Sequence, residues 1–249
     1  MHLISESTLD GVIERGFVQG DVPGILWSPA HVGEPAPVVL SGHPGGLHKS
    51  AGGLVARARV LAAGYGIHVV AIDAPGHGDR ARSPEDEAWV DRMQVARAAG
   101  QPLGDLVADF NASIAERAVP EWRSVLDALE RMPGIDLTGG AGYTGMTLAT
   151  EIGIRLAAAD RRIAAAVFGA AFARPGLVEA ARRVTVPVQY VLSWDDPEID
   201  RESGFALFDA FGSADKVLRA VPGPHSRVPQ AEIDESTRRL VAQLGSQGG

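Results

Sequence analysis

An α/β fold, with a mostly parallel sheet covered by helices on both faces, is predicted by three observations. Short apolar runs alternate with helical patterns along most of the chain, which is how strands and crossover helices read in sequence. One run, Ile67 to Ile72, is nearly all apolar, as a central parallel strand buried on both faces requires. At 249 residues the chain suits one large domain spanning 1–249, since folds of this size bury a single continuous core.

The elements follow in order. Gly11 to Phe17 and Val22 to Trp27 read as an antiparallel pair joined by a turn at Gly20-Asp21. The run Val38-Val39-Leu40 leads into Ser41-Gly42-His43-Pro44-Gly45-Gly46, and Leu54 to Ala63 reads as a helix. The Ile67 strand ends in Asp73-Ala74-Pro75-Gly76-His77-Gly78-Asp79, whose proline and glycines forbid continuation. From Arg80 to Val119 (80–119) there is no strand signal. Ser83-Pro84-Glu85-Asp86 is a helix start, with Ser as cap, Pro in the first turn and acids at the positive dipole end. That helix carries Trp89, Val90 and Met93, and a second begins near Leu103. Following the Asp73 loop, this insertion would lie above the carboxyl ends of the strands, where open sheets bind ligands. It is expected to be a lid or pocket wall; a helical hairpin packed only for stability is the alternative. Ala164 to Phe168, Val186 to Leu192 and Val217 to Val221 are further strands. The last helix, Pro229 to Leu244, puts Ile233, Thr237, Leu240, Val241 and Leu244 on one face. There is no internal repeat, and Gly245 to Gly249 reads as a frayed tail.

Composition narrows the function. Hydrophobic residues are 45% and charged residues 22%, ordinary for a soluble globular protein. No apolar run approaches the roughly 18–20 residues that cross a bilayer. The start Met1-His2-Leu3-Ile4-Ser5-Glu6 lacks the basic and apolar blocks of an export signal, so a cytoplasmic location is expected. Without cysteine there is no disulfide, thiolate nucleophile or Cys metal site. A net charge of −8 argues against nucleic acid, because phosphate binding needs clustered Lys and Arg. The pairs Arg161-Arg162 and Arg182-Arg183 are read as complements to helix C-termini.

The chemistry-bearing residues cluster at strand ends. Gly142-Tyr143-Thr144-Gly145-Met146 sits where a strand yields to an Ala/Leu-rich helix, the place of a nucleophile elbow of pattern Gly-x-Ser-x-Gly. Thr144 stands at its centre. Asp196 follows the Val188–Leu192 strand, and His225 follows the Val217–Val221 strand. A nucleophile, an acid and a His in that chain order, each at a strand end, fit a triad: the acid fixes the imidazole tautomer and the imidazole takes the hydroxyl proton. Singly, a His after a Gly/Pro turn or an Asp-Asp-Pro is more often a surface loop or cap; jointly they point to one site. Asp195 competes with Asp196 as the acid and could instead cap the next helix. Backbone donors for a developing oxyanion are expected at Gly145, after the nucleophile, and at Gly45, with Gly46 as the alternative, since Pro44 has no N–H. Asp73, His77 and Asp79 are of metal-ligating types, but glycines and proline surround them and no partner cluster is evident, so no metal is assigned. Gly139-Gly140-Ala141-Gly142 does not match dinucleotide spacing.

From Val38 onward the chain resembles the dienelactone-hydrolase-like branch of the α/β-hydrolase superfamily. The resemblance rests on His43 to Ser50, Asp73 to Arg80, the elbow, Trp194-Asp195-Asp196 and Pro222 to His225. It implies an eight-stranded, mostly parallel sheet, no cofactor, and hydrolysis of an ester, lactone or thioester as a small-molecule carbonyl substrate. Asp196-Pro197-Glu198-Ile199 resembles the turn that carries the acid in such enzymes. The departures fall at the site: Thr144 replaces Ser, and Met146 replaces the last glycine. A β-branched residue makes positive φ costly and crowds the attack path. Three readings stay open: a restricted Thr-His-Asp hydrolase, a non-hydrolytic lyase, isomerase or cyclase using His225 and Asp196 as general base, or a ligand-binding homologue without catalysis. Trp89, Met93, Phe110 and Trp194 are candidate pocket lining, with core packing as the alternative. No nucleic-acid or membrane partner is expected, and a homodimer is compatible with the sequence.

Overall fold

The computed structural model describes residues 1–31 and 33–245. One nine-stranded sheet runs through the molecule in the order β1-β2-β3-β5-β4-β6-β7-β8-β9. Its strands are β1 (His2–Leu9), β2 (Val12–Gln19), β3 (Val22–Pro29), β4 (Val38–Ser41), β5 (His68–Ile72), β6 (Ala141–Thr144), β7 (Ile163–Gly169), β8 (Val188–Ser193) and β9 (Lys216–Val221). The first three pair antiparallel, and all pairs from β5 through β9 are parallel. The expected eight strands are joined by β1, which the sequence reading missed. Every residue of β1 is exposed, so it has no buried face and none of the period-2 hydrophobic signal by which a strand is read. It is turned onto β2 at Asp10-Gly11, both at positive φ (50° and 77°), the backbone that a tight two-residue hairpin turn demands.

Helices cover both faces. On one side α1 (Gly52–Tyr65) and α7 (Gln230–Gly245) pack on Val39, Val69, Val167 and Val191. On the other lie α2 (Pro84–Ala98), α3 (Gly104–Leu129), α4 (Leu148–Ala159), α5 (Pro175–Arg182) and α6 (Arg201–Ala210). There Tyr143, Phe168, Tyr190, Trp122 and Leu126 form the larger core. Successive strand residues point to opposite faces, so Tyr143 enters one core and Thr144 the other. The expected tail lies outside the described residues from 246 onward.

The insertion takes the expected helical form. Ser83 accepts from the Asp86 N–H at 3.1 Å and Asp86 returns a bond to the Ser83 N–H, a complete capping box. The second helix runs past Val119 to Leu129 as α3, whose later turns bury Trp122, Val125 and Leu126. What reads as an insertion is therefore one short helix plus the extended front of a core helix. Ion pairs fasten it: Arg117 to Asp86 at 2.6 Å, Arg80 to Glu121 at 2.8 Å, and Arg174 to Asp105 and Asp109 at 2.8 and 3.1 Å. Arg162 pairs with Asp160 and Asp127 and so answers carboxylates instead of a helix end. No described helix is long and apolar enough to cross a membrane.

Helix α4 lies close against β6 because Gly153 faces the sheet without a side chain. A Cβ there would overlap the fully buried Tyr143 ring and press on Phe168. Gly153→Ala is expected to cost about 1–3 kcal/mol, as overpacking of a tight core does, read as a lowered midpoint in urea with an unchanged slope.

Candidate active site

The turn between β6 and α4 holds the most unusual backbone in this region. Thr147, the N-cap of α4, has φ 55° and ψ −115°. Positive φ on a β-branched residue costs on the order of 1–3 kcal/mol and persists only where neighbours over-determine it. They do so here. The Thr147 N–H donates to Gly169 O at 3.1 Å, and its carbonyl accepts from Thr150 and Glu151 N–H at 2.9 and 3.1 Å. The buried Thr150 hydroxyl accepts from Gly169 N–H at 3.0 Å and lies 2.6 and 2.9 Å from the carbonyls of Gly169 and Gly145. The chain also turns in very little space: a Cβ on Gly145 would stand 2.5 Å from that of Ala149.

The unusual backbone falls three residues after the expected centre of the elbow. Thr144, expected at its centre, is the last residue of β6 and is buried, with its hydroxyl accepting from Arg57 Nη1 at 3.1 Å on the α1–α7 side. Gly145, expected as an oxyanion donor, spends its N–H on Val167 O at 3.0 Å. The turn instead reads Gly145-Met146-Thr147-Leu148-Ala149, with the same spacing and Ala in place of the final glycine. Leu148, the residue after the turn, opens α4, where an N–H has no intrahelical acceptor.

Gly45 lies beside the Thr147 turn. Its N–H points at Thr147 Oγ1 from 3.4 Å, and a Cβ on it would lie 3.9 Å from the Leu148 Cβ. The Gly45 loop is tied to the loop after β5. Ala74 N–H donates to His43 Nε2 at 3.0 Å, which leaves the His43 proton on Nδ1, facing Pro44 O at 2.9 Å. Asp73 accepts from the Lys49 N–H at 2.8 Å and from Lys49 Nζ at 2.6 Å, and Asp79 accepts from the same ammonium at 2.6 Å. Burial opposes charge on both groups, but their mutual bonds outweigh it, raising the Lys49 pKa and lowering that of Asp73. These carboxylates thus hold a lysine, and His77 turns its Nδ1 to Pro75 O.

Asp196 and His225 are brought together. Asp196 Oδ2 accepts from both His225 Nδ1 and the His225 N–H at 2.6 Å, while Oδ1 accepts from Glu198 and Ile199 N–H at 2.9 Å. Burial pushes the Asp196 pKa up, but these donors outweigh it and hold the carboxyl below its ordinary value. Asp195 lies exposed in the preceding turn, and the cap of α6 is Asp200, which accepts from Ser203 N–H.

Thr147 and His225 line one cavity of about 450 Å³. Leu103, the cap of α3, and Val107 within it wall it, with Phe172 after β7 and Ile199 after β8. Trp89, Met93, Phe110 and Trp194 are not among its lining. Trp89 and Phe110 pack on each other, and Trp194 stands exposed against Phe205. A second concavity of about 490 Å³ is an open groove among Arg123, Asp160 and Arg162. Its charges already pair with one another, so the candidate site is the Thr147 cavity.

Burial is the main cause that lowers the His43 pKa to about 4. The unfolded chain takes up this proton near 6.5 and the native state only near 4, so His43 reduces stability as pH falls through that window. The loss approaches about 3 kcal/mol at pH 4. Urea unfolding between pH 7 and 4 should show it, with a shallower decline in His43→Asn.

No protein-family model matches the chain, and no curated protein matches its sequence. Solved structures do. A cold-adapted esterase from an Arctic intertidal metagenomic library, in its PEG-bound form, is 31% identical, with 98% of this chain and 99% of that one covered and a TM-score of 0.78. Its native form gives 29% identity, 98% and 100% coverage and a TM-score of 0.72. Acetyl xylan esterase 1 from Thermoanaerobacterium sp. shares the fold at 14% identity, with 98% and 87% covered and a TM-score of 0.70. With its nine-stranded α/β-hydrolase fold and this likeness over nearly its whole length, the chain belongs to the family of the cold-adapted esterase.

Proposed function

We propose that the protein hydrolyses a carboxylic ester, or the related lactone or thioester, through an acyl-enzyme on Thr147, without a cofactor. The observation that carries this reading is the strained Thr147 turn opening into the cavity that the His225–Asp196 pair lines. Nδ1 of His225 donates to Asp196, so Nε2 of the neutral ring is the acceptor available as general base. Thr147 Oγ1 attacks the carbonyl carbon as its proton passes to Nε2. The oxyanion forms beside the N–H groups of Gly45 and Leu148, and the protonated ring gives its proton to the leaving alcohol. Water then repeats the sequence on the acyl-enzyme. The threonine methyl restricts the hydroxyl rotamers and the approach of the carbonyl, which favours small or flat acyl groups. The esterases among the structural neighbours support the reaction class.

Hydrolysis of p-nitrophenyl acetate tests this. Thr147→Ala should lower kcat by about 10³-fold or more, and Asp196→Asn by a comparable factor. Thr144→Val should keep most of the activity, and Thr147→Ser should equal or exceed the parent. If Thr147→Ala stays active while His225→Ala is dead, the reaction is a proton abstraction by His225 and not an acyl transfer.

A further inference from the structure

Between α1, β6 and α7 lies a second polar centre that the ester chemistry does not touch. Arg57 of α1 is buried deep enough for its Nε to be sealed from solvent, and that Nε has no hydrogen-bond partner. Its one polar contact among the described residues is Nη1 to Thr144 Oγ1 at 3.1 Å. No described carboxylate pairs with it, whereas Arg59 in the same helix reaches Glu14 at 3.4 Å. An uncompensated buried guanidinium is costly, because desolvation penalises the charge and nothing repays it. The Arg57 pKa is lowered by burial alone.

Beside Arg57 is a void of about 10 Å³ that Thr144, Ser236 and Thr237 also line, with Leu61 and Leu240 among its apolar walls. The Thr237 hydroxyl is spent on Ile233 O at 2.8 Å. Those of Thr144 and Ser236 are used as acceptors, from Arg57 and from Gln189 Nε2. Three donors therefore remain around this space: Arg57 Nε–H and the protons of Thr144 and Ser236. A water there would accept from two of them and donate to a free lone pair of a lining hydroxyl, but it brings no charge and leaves the guanidinium uncompensated. A cation is repelled, and the space holds about one atom-sized guest, too little for a carboxylate or phosphate.

We propose that this void is a halide site, occupied by chloride, which completes the charge and the hydrogen bonding of Arg57. A monatomic anion accepts from all three donors at once and neutralises the guanidinium. Arg57 as a residue keeps partial exposure, which gives the ion a route of exchange. The site is independent of the ester-hydrolase reading.

Two measurements test it. In crystals soaked with sodium bromide, an anomalous peak is expected between Arg57, Thr144 and Ser236 in the wild type. In thermal unfolding at constant ionic strength, replacing gluconate by chloride should raise Tm saturably, by about 5 °C. Arg57→Met should abolish the chloride dependence, and Thr144→Val should weaken it. No bromide peak, or equal Tm in chloride and gluconate, overturns the proposal. A bromide peak without a chloride-dependent Tm marks an adventitious ion only and overturns it equally. Both wild-type measurements decide the matter even if Arg57→Met does not fold.

Discussion

The strained turn at Thr147 is the constraint around which the rest of the molecule is arranged. A β-branched residue does not adopt this backbone by preference, so the surrounding structure has to impose it. The hydrogen bonds that do so come from the ends of two neighbouring strands, β6 and β7, through Gly169 and the Thr150 hydroxyl. Those strand ends are fixed by the parallel register that places Thr144 beside Val167. Helix α4 can leave the turn at the required angle only because Gly145, Ala149 and Gly153 let its backbone lie against the sheet. Sheet register, small residues and one threonine's dihedrals are thus a single condition.

The other parts of the site are anchored by backbone as much as by side chains. Asp196 is held by the N–H groups of Glu198 and Ile199 and in turn holds both the backbone and the ring of His225. The Gly45 loop is bolted to the next loop through His43, Lys49 and Asp73, all buried. Each functional group therefore stands on a loop, and each loop is tied to a strand end or to a second loop. This is how a rigid scaffold makes short irregular segments precise.

Most of the fold was legible because its signals are local. The apolar strand at Val69, the Ser83 capping box and the apolar face of the last helix each announce themselves within a few residues. The pairing of Asp196 with His225 was legible as chain order and turn chemistry. The position of the strained turn was not. Two overlapping glycine-anchored windows, one centred on Thr144 and one on Thr147, offer the same spacing, and only the strand's end tells them apart. Strand ends are poorly marked in sequence, and here β6 stops at Thr144 instead of earlier. Lys49 escaped notice for a different reason: its partners, Asp73 and Asp79, lie well along the chain and were read as a turn. The strand β1 left no signal because it buries nothing.

The wall of the cavity has an uncommon means of attachment. Helix α2 buries only Asp86 and Ala96, so little apolar area binds it to the core. Besides the Trp89–Phe110 contact, what holds it and the front of α3 are the pairs of Arg117 with Asp86 and of Arg174 with Asp105 and Asp109, while Arg80 with Glu121 pins the loop before α2. The exposed Arg174 pairs are screened by dissolved salt, the buried Asp86 pair far less, and none fades on cooling as apolar contacts do. The front of α3, and with it the width of the cavity, is thereby coupled to the electrolyte around the protein, while the sheet beneath, closed by aliphatic and aromatic packing, is not.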